Sequence, residues 1–300
     1  MKGHFGKITA LHWAGDSRSV VSASQDGNLL LWNAVTANKL QSISLKSSYV
    51  MSVGLEQSSR NNLVACGGLD NLCSIYKWNQ PNAPAVEMAS HDGFVSGCRF
   101  ISESHILTSS GDSTCLRWDV SRGRVLDTFS EHTADAMALS LRPHDPNVFA
   151  SASVDQTVKV WDIRTPDKSA YTFSGHTSDV NDVAFMPHND SHTLASCSED
   201  GTVRVWDMRC YSTVAKFGSP VDTSALDQSG SWTSIGFSGS GRLLFAGHAE
   251  ASVSVMDVIS GKSVAQWNQA HEGHISCLGV SPNGDALCTG SWDYTLKIWA

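Results

Sequence analysis

Seven recurrences of one short pattern predict an all-β chain, closed into a single seven-bladed β-propeller over residues 1–300. Three observations predict it. A strand-like run closes once per unit, at Trp32, Tyr76, Trp118, Trp161, Trp206, Met256 and Trp299. An acid lies six residues before each: Asp26, Asp70, Asp112, Asp155, Asp200, Glu250 and Asp293. A histidine opens five of the units (His4, His91, His132, His176, His271), four residues before the first strand position. The period of about 43 residues is that of a propeller blade. A single four-stranded sheet cannot bury both of its faces, but seven packed radially cover one another.

Each unit also contributes to one end of the ring. If the histidine bonds the acid, the loop entering the blade and its second turn lie together. The residues three and five beyond the histidine position, with the residue before the acid, then line a common rim. Unit one runs from His4 into Ile8, through "SVVSAS", the turn "QDGN" and "LLLW", and offers Lys7, Thr9 and Gln25. Unit two lacks the histidine, enters at Val50, and offers Tyr49, Met51 and Leu69. Unit three enters at Val95 with Phe94, Ser96 and Gly111; unit four enters at Ala136 with Asp135, Met137 and Val154. Unit five enters at Val180 with Asp179, Asn181 and Glu199. Unit six follows "GSPVDTSALDQSGSW", which reads as an extended loop, enters at Trp232, and offers Ser231, Thr233 and Ala249. With Met256, Glu250 and no histidine, its polar network is expected to be incomplete. Unit seven enters at Ile275 and offers His274, Ser276 and Trp292.

Bulk properties exclude several classes. No apolar run approaches the ~18 residues of a membrane span, and the N-terminus has no apolar signal-peptide core. The net charge of −8 has no compensating basic block, which argues against nucleic acid. The eight cysteines form no CxxC pair and mostly sit in strand-like runs, as expected of small buried hydrophobes rather than of a metal or disulfide framework.

Ser, His and Asp recur within the units, and these are the residue types of hydrolase triads. An enzyme has one such site, whereas this set repeats around the whole ring. A structural network of His4, Asp26, Asp70, His91, Asp112, His132, Asp155, His176, Asp200, His271 and Asp293 is therefore expected, with the acids buried, and neither catalysis nor a metal or cofactor. The rim is expected to do the work. Tyr49, Met51, Leu69, Phe94 and Met137 form an apolar arc, with Trp292 across the ring. Asp135, Asp179 and Glu199 form an acidic arc, and Lys7 adds a positive point. Exposed apolar residues rimmed by charge mark a protein partner. The alternative for Trp292 is that the indole folds down over the channel and only packs.

These Trp-Asp (WD) repeats go further. "KITALHW", "DSRSVVSASQDGNLLLWN", "VACGGLDNLCSIY", "LTSSGDSTCLRWD" and "CLGVSPNGDALCTGSWDYTLKIW" closely resemble the β subunit of heterotrimeric G proteins, over nearly the whole chain. The resemblance implies a partner of the GDP-bound Gα subunit and of a γ subunit. After GTP exchange releases Gα, it implies effectors such as kinases, channels and phospholipases, at the inner face of the plasma membrane through lipidated partners. It carries contact roles onto Lys7, Leu30, Lys39, Tyr49, Met51, Leu69, Phe94, Asp135, Met137, Asp179, Asn181, Glu199 and Trp292; Leu30 and Lys39 enter by resemblance alone, on the outer side of blade one. Tyr49 stands where the family usually has Trp, Phe94 for Tyr and Glu199 for Asp, each keeping the chemistry. Thr9 and Asn28 depart further, from an aromatic or Ser and from a basic residue. The family's long N-terminal helix, which coils with γ, is expected to be absent, since Gly3-His4 follows Met1 almost at once. The last blade is then expected to lack its outer strand, leaving "TLKIWA" an open edge and the chain poorly soluble. Other readings are a different WD scaffold, or a ubiquitin-ligase substrate receptor without a visible adaptor motif.

Overall fold

The computed structural model describes residues 1–58, 62–187, 192–218 and 230–300. The loop expected between units five and six falls almost wholly outside them. Described residues form seven antiparallel sheets, six of four strands and one of three. Each sheet is one repeat, and its strands pair in chain order.

The innermost strands run Ile8–Trp13, Val50–Leu55, Val95–Ser102, Ala136–Leu141, Val180–Phe185, Trp232–Phe237 and Ile275–Val280. Each packs on the next in a circle, and the last packs on the first. Every one of them carries a register shift near its start that leaves one residue unopposed: Thr9, Met51, Ser96, Met137, Asn181, Thr233 or Ser276. Such a bulge breaks the two-residue side-chain period. In Ile8–Trp13 the fully buried residues are accordingly Ile8, Leu11 and Trp13.

The second strands are buried on both faces, because neighbouring blades cover both. Small residues fill them, as in "SVVSAS" and "TLASCS". Third strands end on the repeat aromatics, with Trp32, Trp118, Trp161 and Trp206 at most 2% exposed. Outer strands such as Lys39–Ser44 and Lys262–Trp267 face water.

Blade seven has three strands, Ile275–Val280, Leu287–Ser291 and Leu296–Trp299. Its outer edge is nevertheless touched. Lys2 bridges Thr295 in antiparallel fashion, and the Leu296 N–H donates to the Met1 carbonyl at 3.1 Å. The two residues before Gly3-His4 thus begin a fourth row, where the sequence suggested an edge with nothing on it.

Candidate functional site: the entry-loop rim

Five blades hold one polar network. In blade one His4 Nδ1 lies 2.9 Å from Asp26, His4 Nε2 lies 2.7 Å from Ser22 Oγ, and Trp32 Nε1 donates to Ser22 Oγ at 2.8 Å. The same set is His91–Asp112–Thr108–Trp118, His132–Asp155–Ser151–Trp161, His176–Asp200–Ser196–Trp206 and His271–Asp293–Thr289–Trp299. Inventory alone directs these bonds. A carboxylate only accepts, so Nδ1 carries the proton; an indole N–H only donates, so the hydroxyl oxygen receives it and gives its own hydrogen to Nε2. The neutral imidazole satisfies every group. Burial pushes His4, His91, His176 and His271 below the usual histidine value, with the paired aspartates opposing. For the acids burial acts upward, yet bonds from Thr202 and His176, and from Thr295 and His271, hold Asp200 and Asp293 at about 2.

The same carboxylates tie the two loops together. The backbone N–H after each histidine donates to the acid at 2.9–3.2 Å, from Phe5, Asp92, Thr133, Thr177 and Glu272. In all seven blades, moreover, the residue before the acid donates its N–H to the carbonyl three beyond the histidine position. The pairs are Gln25 to Lys7, Leu69 to Tyr49, Gly111 to Phe94, Val154 to Asp135, Glu199 to Asp179, Ala249 to Ser231 and Trp292 to His274, at 2.9–3.0 Å. The rim residues therefore lie at one end of every blade, and the bulged residues Met51, Met137 and Asn181 sit beside them.

The exposed rim is mainly apolar on one side. Tyr49, Leu69 and Trp292 are 61%, 55% and 41% exposed, while Met51, Phe94 and Met137 are half-buried. Gly111 makes room for Phe94, whose ring would lie 2.4 Å from a Cβ there. Asp135, Asp179 and Asn181 are half-buried and Glu199 is exposed. The Asn181 amide donates to the Trp232 carbonyl at 2.8 Å, joining blades five and six. Trp292 is not folded under: its indole stacks on His274 at 4.3 Å, and Lys7 Nζ lies 3.8 Å from a ring centroid.

Two expectations need correction. Leu30 is 3% exposed, packed with Trp32, Leu296 and Met1, so it offers no contact surface. Lys39 is exposed in the outer strand beside Trp32, on the outer side of blade one where the resemblance puts it. The acids are not uniformly buried. Side chains of the five paired aspartates are 4–15% exposed, whereas Asp70 and Glu250 are exposed residues. The reason in blade two is substitution at each network position: Lys46, Cys66 and Tyr76 stand for His, Ser and Trp. A cavity of about 30 Å³ remains there, lined in part by Lys46, Cys66, Asp70 and Tyr76.

Blade six solves the missing histidine another way. His248, from the end of the second strand, meets Trp232 edge-on at 4.9 Å, and its Nδ1 accepts the Glu250 N–H at 3.2 Å. Sequence reasoning passed over His248. The signal was present, since the residue two before the acid is serine in five other units.

Seven such blades, five with the complete His–Asp–hydroxyl–Trp set, define a WD-repeat propeller. A family model described as "G protein beta WD-40 repeat protein" matches residues 1–300. A "Guanine nucleotide-binding protein subunit beta" of Nicotiana tabacum is 42% identical over 316 residues, covering 100% of this chain and 82% of the relative. Proteins of the same description from Zea mays and Arabidopsis thaliana are 41% and 40% identical, each again covering 100% of this chain and 82% of the relative. The chain belongs to the G protein β WD-40 repeat family.

Proposed function

We propose that this chain is a non-catalytic G-protein β subunit. Its entry-loop rim binds the GDP-bound Gα subunit and, once nucleotide exchange releases Gα, effector proteins. It works with a γ subunit, in complexes held at the inner face of the plasma membrane by lipidated partners. No helix among the described residues is long and apolar enough to cross a membrane.

The reading rests on one observation above the rest. Exposed Leu69 and Trp292 occupy equivalent bonded loop positions in blades two and seven, with exposed Tyr49 and half-buried Met51 beside Leu69 and with Lys7, Phe94, Asp135, Met137, Asp179, Asn181 and Glu199 on the other loops of the rim. A rim with apolar anchors and flanking charge suits a protein ligand. The recurrent Ser–His–Asp sets support the absence of catalysis, because each hydroxyl is already held between an indole and an imidazole. Lys39 is a peripheral contact on the flank of blade one in this reading, and Leu30 is none.

The test is binding of GDP-loaded Gα to the purified chain. Trp292→Ala should weaken binding by about 2 kcal/mol, roughly 30-fold, with an unchanged thermal melt. Undiminished affinity would remove the rim as the docking surface.

A further inference from the structure

One sector of the rim carries two imidazoles that stand outside the repeated networks. Trp292 stacks on His274 with planes at 26°, and Lys7 approaches the indole from blade one. In blade six His248 packs against Trp232. His274 feels the charge of both Lys7 and His248. Basic groups from three neighbouring blades therefore gather in this sector, Lys7 and His274 against the exposed indole, while Asp135, Asp179 and Glu199 lie further round the rim in blades four and five.

We propose that blades six, seven and one form a carboxylate-binding pole of the rim, where proton uptake by His274 and His248 adds to the fixed charge of Lys7. It rests on the reading of the rim as a docking surface, and it names the chemistry of the segment that meets this sector: one bearing Asp or Glu side chains. Charge complementarity selects that occupant. A basic segment is repelled here and favoured at the acidic arc of blades four and five, so the rim also orients a two-ended partner.

The sign of the pH effect follows from the surroundings. Burial, then Lys7 from blade one and His248 from blade six, push His274 below the usual histidine value. Burial pushes His248 down too, opposed by Glu250 of its own turn and by the Gly230 backbone. Both rings are neutral at pH 7.5. A bound carboxylate favours the charged imidazole, so binding takes up protons and tightens as pH falls. Glu250 is the internal competitor for His248.

The probe is a fluorescein-labelled decapeptide of alternating Glu and Leu, with a Gln/Leu peptide as control, followed by polarisation at low salt. Glutamates of the probe stay ionised at pH 5.5. From pH 7.5 to 5.5 the Glu peptide should bind about fivefold tighter or more, and the Gln peptide should not change. His274→Gln should lose most of that gain, and His274→Arg should bind tightly at both pH values. Thermal melts check that both variants fold. A gain that survives His274→Gln with His248→Gln, or one shared by the Gln peptide, overturns the proposal. A pH-independent Glu peptide overturns it even where Trp292→Ala still weakens Gα binding; Trp292→Ala without effect on Gα would instead sink the rim reading itself.

Discussion

At the scale of single residues, the central fact is that each network has only one satisfying proton arrangement. Asp155 accepts from His132 at 2.8 Å, from the Thr133 N–H and from Thr157 Oγ1 at 2.6 Å. Burial would raise its carboxyl, but these bonds hold it far below the usual range. Asp155→Asn replaces an acceptor by a group that also donates, facing a histidine N–H. It should cost about 1–3 kcal/mol in urea unfolding, and it should abolish no turnover; a hydrolase activity lost with Asp155 would overturn the structural assignment. Acid should act in two stages. For the four depressed histidines the unfolded chain binds protons first, so stability falls as pH drops below about 6.5. For Asp200 and Asp293, depressed to about 2, stability present above the ordinary carboxylate value falls again between about 4 and 2. Urea midpoints at pH 7.5, 5.5 and 3 should step down twice; a flat profile to pH 4 would contradict neutral buried histidines.

At the scale of the blade, the informative elements are those that depart from the repeat. Blade two keeps its sheet while Lys46 replaces the histidine and leaves a cavity, with Asp70 accepting a 3.3 Å bond from the Leu72 N–H. The network works as a unit, so a single Lys46→His places an imidazole beside a thiol and a phenol, poor substitutes for Ser and Trp. The triple change Lys46→His, Cys66→Ser, Tyr76→Trp should stabilise by about 1 kcal/mol or more, while each single change should gain nothing. Additive single effects in thermal melts would refute that cooperativity. These departures also show what could be read in advance. Blade number and the shared rim were legible, because a histidine, an acid and an aromatic recur at fixed offsets and each must find the others. His248 was legible as a departure, standing where five units have serine, but its meeting with Trp232 was not, because the replacement ring comes from a different strand and leaves the repeat spacing unaltered. Leu30 misled because the contact was carried by resemblance, while its burial depends on Met1 and Leu296, which are distant in sequence. The turn after each acid was half legible. Its next residue is left-handed in all seven blades, with φ between 60° and 77°, but only Gly27 and Gly201 advertise it.

At the scale of the ring, bulged residues stitch blade to blade. Asn181 donates to the Trp232 carbonyl, Thr233 to the Ile275 carbonyl at 2.7 Å, and Ser276 to the Ile8 carbonyl at 2.6 Å; Ser96 reaches the Ala136 carbonyl in the same way. Chemically these links are alike, but Ser276 and Ile8 are 268 positions apart, whereas Thr233 and Ile275 are 42 apart. Closing the longer loop costs about 1.6 kcal/mol more by the logarithmic loop-entropy rule. Blade seven, with three strands, has the least sheet to offset that cost. Trp13 Nε1 donating to the Gly279 carbonyl at 2.8 Å and the Asn283 N–H donating to Ser17 at 3.1 Å reinforce the same seam. The junction of blades seven and one is therefore expected to open before the ring unfolds globally. Amides of Ile8–Trp13 and Ile275–Val280 should exchange with solvent faster than those of Ala136–Leu141, and Ser276→Ala should widen the gap by about tenfold, the weight of one ~1 kcal/mol hydrogen bond. Thr233→Val, which removes the matching link one blade earlier, should leave exchange at Ile8–Trp13 nearly unchanged. Uniform exchange around the circle, or equal effects of the two variants on Ile8–Trp13, would show that all seven seams share one stability and that closure has no preferred point of failure.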